Sequence, residues 1–166
     1  MVEHPFRTNP LLAQLVARYI AGTSITELLV SGAFAAVLND NGALTHAMLH
    51  HVRNFTDRVT ILEDVVACLR DDNPYRDSLL ELIPEIKHCT ALRNKLAHGL
   101  FTSPETGGEV EMITWMTSKQ RKTHVETLTT KFLEAELERV GKLNEALVSA
   151  GIGSFSHITA KMEPSK

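Results

Sequence analysis

The run Arg93-Asn94-Lys95-Leu96-Ala97-His98-Gly99 gathers side-chain types that can hold a phosphate and move a proton. Arginine presents a planar, permanently charged fork that grips phosphate oxygens in pairs. Histidine titrates near neutrality and can accept or give a proton. Asparagine can donate to a phosphate oxygen or hold an imidazole in one tautomer. No carboxylate or metal-ligand cluster lies beside them in the sequence, so the set suits cleavage of RNA without a metal. In that chemistry His98 helps deprotonate a ribose 2′-OH, which attacks the neighbouring phosphate. Arg93 stabilises the charge gathered on the phosphorane. The products end in a 2′,3′-cyclic phosphate and a 5′-OH.

The spacing sets a geometric condition. On a regular helix, Arg93 and His98 are offset by about 140° with a rise of ~7.5 Å. Asn94 and His98, four apart, share a face. Gly99 is a helix stop, and fraying of the last turn at His98 would swing the imidazole back toward the guanidinium. All three side chains are then expected in one groove. The plainer alternative is a helix C-cap, in which Arg93 and His98 satisfy free carbonyls.

Arg93-Asn94-Lys95-Leu96-Ala97-His98 resembles the signature of the HEPN superfamily: an arginine, a polar residue, and a histidine four to six residues after the arginine. Gly99 and the apolar Leu100-Phe101 are similar to what many such sequences carry next. The resemblance covers the motif closely and residues 24–150 loosely, by helix order. It implies a single all-α domain over 1–166, with the motif at the end of a late helix. It makes Arg93, Asn94 and His98 the catalytic residues of a metal-independent endoribonuclease that needs no cofactor. It also implies a homodimer whose two motifs line one cleft. At a helix C-terminus the dipole favours the charged imidazolium, so across such a cleft one neutral His98 is expected to act as base and a charged copy as acid. Toxins and phage-defence effectors are among such proteins, so an antitoxin protein is a candidate partner beside RNA. The alternative function is a non-catalytic HEPN-like module that binds a nucleotide or a protein.

The elements that must position these residues follow from apolar spacing. Pro10, capped by Thr8 or Asn9, opens a helix to about Ala21, and Gly22 marks a break. Ser24 and Glu27 make a capping box for a second helix, closed by the turn Asn39-Asp40-Asn41-Gly42. Leu44 to Leu69 recur every three or four residues as one long third helix. A fourth runs from Tyr75 to His98, with a kink or restart at Pro84 near Leu82. Leu100–Ser103 and Val110–Thr117 read as a short hairpin around Glu105–Gly108. Thr123 and Glu126 make a second capping box for a last helix to about Ala150. The expected fold is a bundle of about five helices with a β-hairpin or loop insert before the last. Residues 1–7 and 152–166 read as loose ends.

Composition narrows the partners. The formal net charge is −3, so the whole surface is not a polyanion trap. Residues 86–104 and 112–125 nonetheless contain no acid. Lys95, Lys119, Arg121 and Lys122 are therefore candidate RNA or phosphate contacts, or else ordinary solvated positions before a helix. Trp115 and Tyr75 are the candidates for base stacking. Cys68 and Cys89 read as buried, reduced thiols; with no CxxC spacing, no zinc site is expected. His46 and His50 lack a third ligand at helical spacing, and Met48, Met112 and Met116 read as core filler. No segment reads as the ~18 apolar residues of a membrane span, and the expected location is the cytoplasm.

Overall fold

The structure, a computed structural model, describes residues 5–38, 42–102, 110–116 and 122–151. The chain is mostly helical with a small antiparallel sheet ahead of the last helix, the fold class indicated by the sequence. In order, the elements are α1 (Pro5–Thr8), α2 (Pro10–Val37), α3 (Gly42–His50), α4 (Phe55–Ala67) and α5 (Arg76–His98). These are followed by β1 (Leu100–Thr102), β2 (Val110–Met116), β3 (Lys122–Leu128) and α6 (Thr130–Ser149). The chain divides into two compact units, Met1–Thr23 with Cys89–Gly141, and Ser24–His88 with Lys142–Lys166.

The first unit holds the motif. Leu12, Leu15, Val16 and Tyr19 of α2 are buried there, as are Cys89, Leu92 and Leu96 of α5, and Leu133 and Val140 of α6. The three strands pair in the order β1-β2-β3, with Phe101 opposite Met112 and Val110 opposite Leu128. Val110, Met112 and Leu128 are buried, so one face of the sheet is core. Tyr19 donates from its hydroxyl to the Cys89 carbonyl at 3.3 Å, which satisfies a polar tip inside hydrocarbon. The expected loose lead-in is partly ordered: Pro5–Thr8 is helical, and Phe6 packs on Phe101 with ring centroids 4.7 Å apart.

The second unit is built by Phe34 of α2, Leu62 and Val66 of α4, Leu79 and Ile83 of α5, and Leu147 of α6, all buried. Thr26 Oγ1 donates to Asn144 Oδ1 at 2.8 Å. Asn73 caps α5, its Oδ1 accepting from Tyr75 N–H. Gly151, at φ +74°, closes α6 in the left-handed conformation that glycine adopts freely.

Four boundaries differ from the sequence reading, each for a local reason. First, Gly22 does not break α2, which runs 28 residues from an Asn9 cap. Glycine there serves contact, since a Cβ would sit 3.1 Å from Val140 Cγ1. Ser24 and Glu27 are helix interior rather than a capping box, and neighbouring hydroxyls bond back into the helix, Thr23 Oγ1 to Ile20 O and Ser31 Oγ to Glu27 O. Second, the long third helix is two helices. Asn54 Oδ1 caps Thr56 N–H, and Arg58 donates from Nε to Val52 O and from Nη2 to Leu49 O, closing the end of α3. The apolar period survives because the link is short. Third, α5 does not restart at Leu82; Pro84 lies inside one continuous helix. Fourth, Thr123 and Glu126 belong to β3 and not to a helix cap. Thr129 caps α6 instead, accepting from Phe132 N–H at 3.1 Å. The alternating Thr123, Val125 and Thr127 are β-branched and suit a strand.

Other expectations also change. Cys68 is exposed, whereas Cys89 is buried, and neither forms a disulfide. Met48 is 36 % exposed, whereas Met112 is core. Pro10–Val37 is long and apolar enough to cross a membrane by length and composition, with 39 % of its most apolar window buried; this revises the reading that no segment is. Among the described residues, no three His, Cys, Asp or Glu side chains gather as a metal site. The tip of the predicted hairpin, Lys119, Arg121 and residues 152–166 lie outside the described residues, as do the side chains of His46, Trp115, Met116, Lys122 and Thr123.

Candidate functional site

The last turn of α5 stays helical through His98, and Gly99 N–H donates to Lys95 O at 2.7 Å. The fraying expected at His98 therefore does not occur. Gly99 is required for a different reason than a left-handed cap. A Cβ on it would lie 2.6 Å from Lys95 O and 3.0 Å from Met112 Cγ. Only glycine lets the helix end pass this close to its own last turn and to β2.

A regular helix sorts the motif by face. Cys89, Leu92 and Leu96 recur at three- and four-residue spacing and are buried. Ala91, Asn94, Lys95 and His98 repeat on another side. These four, with Gly99 and Thr114 of β2, line an open groove of about 300 Å³. Ala91 and His98 are exposed; Asn94 and Lys95 are half-buried. The groove thus brings together three of the residues singled out in the sequence: Asn94, Lys95 and His98.

Arg93 approaches differently. The regular helix keeps its Cα on the side away from the groove, as the 140° offset requires. Its half-buried side chain reaches back to Asn94, where Nη1 lies 3.2 Å from Oδ1. The guanidinium is linked to the groove through that amide. This also sets the amide's orientation, with Oδ1 accepting from arginine and the NH₂ on the other side as a donor.

Sequence reasoning missed the part supplied by the sheet. Lys95 Nζ lies 2.5 Å from Glu126 Oε1 on β3, and His124 Nδ1 lies 3.2 Å from the same oxygen. Lys95 is thus held by a carboxylate rather than standing as a bare cation. The signal available was the alternation in Lys122–Leu128, which puts His124 and Glu126 on one side of a strand. Reading that stretch as a helix start hid it. Tyr75 lies in the other unit from the groove.

No family model, curated protein or solved structure matches the chain.

Proposed function

We propose that this groove is the active site of a HEPN-type, metal-independent endoribonuclease acting as a homodimer in the cytoplasm, as a toxin or phage-defence component. The observation that carries the reading is that Asn94, Lys95 and His98 line one open groove while Arg93 Nη1 bonds Asn94. An exposed imidazole at the groove suits abstraction of a ribose 2′-proton. The Lys95 ammonium, held at the groove by Glu126, has further N–H donors that suit a phosphate, and Asn94 adds an amide to the same wall. Arg93 orients that amide through Nη1. Lys119, Arg121 and Lys122 extend the reading as RNA contacts along the chain. The bound partner is RNA, with an antitoxin protein as the regulator of such a toxin.

The test is incubation of RNA with the protein in EDTA. Wild type cleaves, and His98→Ala and Arg93→Ala each lower cleavage by roughly 100-fold or more while remaining folded. A folded wild type that does not cleave, but binds a nucleotide through Arg93, supports the non-catalytic binding module instead.

A further inference from the structure

A second imidazole neighbours two residues of the groove wall, Thr114 by strand pairing and Lys95 through a shared carboxylate. His124 on β3 stands directly opposite Thr114 on β2, and Thr114 is part of the groove wall. Directly opposed residues in an antiparallel pair project from one face, with Cβ atoms about 5 Å apart. That face runs from the core toward the groove. Val110 and Leu128 are buried at one end, Met112 opposite Glu126 comes next, and Thr114 opposite His124 forms the open end. The His124 side chain is 53 % exposed. Its Nδ1 is engaged with Glu126 Oε1 at 3.2 Å, and that oxygen also takes Lys95 Nζ. A carboxylate therefore ties a groove-lining lysine of α5 to a histidine of β3. With Nδ1 on the carboxylate, Nε2 is the nitrogen that can serve a ligand.

We infer that His124 is the general acid for the departing 5′-oxygen, supplied by the same chain that supplies His98. This rests on the ribonuclease reading of the groove. In the step, His98 takes the proton of the 2′-OH, and the 2′-oxygen forms a bond to phosphorus. The bond from phosphorus to the 5′-oxygen breaks, and that oxygen takes the proton from His124 Nε2. Afterwards His98 returns its proton to water and His124 regains one. Glu126 is a positioning residue: its carboxylate accepts from Nδ1–H, fixing the ring, and balances the imidazolium charge. Lys95 holds that carboxylate beside the groove. One chain then carries both base and acid, without borrowing the second imidazole from a partner copy.

The experiment compares two substrates in EDTA: a short RNA with an ordinary linkage, and the same RNA with sulfur replacing the bridging 5′-oxygen. A thiolate leaves without needing a proton. His124→Ala is expected to slow the ordinary substrate by roughly 100-fold or more and to cleave the sulfur substrate near the wild-type rate. His98→Ala is slowed on both. Glu126→Gln follows the His124→Ala pattern with a smaller loss. Equal slowing of His124→Ala on both substrates, or no slowing on either, overturns the inference while leaving the ribonuclease reading intact. Wild type that cleaves neither substrate removes that reading, and the inference with it. Should His124→Ala fail to fold, His124→Gln, which preserves bulk and polarity on the exposed strand, is put through the same comparison.

Discussion

Arg93 meets the groove through Asn94: guanidinium Nη1 lies 3.2 Å from the Asn94 Oδ1, and it is Asn94 that forms the groove wall. A planar, rigid fork with several N–H donors holds the Asn94 amide in one orientation, which a single rotating ammonium cannot. Arg93→Lys is therefore expected to behave almost like Arg93→Ala, lowering cleavage by roughly 100-fold, despite the retained charge. Single-turnover rates for both variants, with melting temperatures to verify folding, check this. A lysine variant at wild-type rate would show that charge alone suffices.

Gly99→Ala tests the close approach that shapes the groove. A Cβ would be driven against the Lys95 carbonyl and the Met112 side chain. Met112 can give way but backbone cannot, so a loss of about 1–3 kcal/mol is expected. Thermal melting should show a drop of ~2–4 °C for each kcal/mol. Because His98 immediately precedes this point, activity should fall further than the lost stability explains.

Tyr19 supplies a pH signature of the fold. Burial pushes its hydroxyl well above the ordinary value of 10.0, with the neighbouring Cys89 and Glu136 pushing in the same direction. The folded chain keeps the phenol neutral where the unfolded chain would ionise it. Its contribution is thus fully present below pH 10 and lost as pH rises beyond it. Melting temperature should fall more steeply above pH 10 in wild type than in Tyr19→Phe, which has no proton to lose. Parallel curves would place the alkaline sensitivity elsewhere.

The basic run at 119–122 is the sequence's separate claim on RNA. Replacing Lys119, Arg121 and Lys122 together with alanine should weaken RNA binding and flatten its dependence on salt. Three lost phosphate contacts correspond to a slope change of about 2 in log–log form for a single strand. Binding isotherms at several salt concentrations measure it, and an unchanged slope would return these residues to a merely solvated role.

Much of the helical order was legible because apolar residues repeat at three and four, as in Cys89, Leu92 and Leu96 of α5 and Val140, Leu143 and Leu147 of α6. The cap at Asn9 was legible for the same reason that it works: a short polar side chain reaches the free amides of the next turn. Punctuation was misread where tertiary contact decides. Gly22 breaks an isolated helix, but here it makes room for Val140. The periodic stretch from Leu44 to Leu69 concealed a break, because Asn54 and Arg58 end α3 and begin α4 without shifting the apolar register. Thr123 and Glu126 fit a capping box as well as a strand, and pairing with β2 decides for the strand. That single choice determined whether His124 and Glu126 were seen as part of the site.

The most direct measurement is the chemistry of the cut ends. RNA treated with wild-type protein in EDTA should yield fragments bearing a 2′,3′-cyclic phosphate and a 5′-OH, identified by mass. An RNA with a 2′-deoxy residue at the cleavage position should remain intact there. Fragments ending in a 5′-phosphate, or cleavage that persists at the deoxy position, would contradict an attack by the 2′-oxygen and with it the role given to His98.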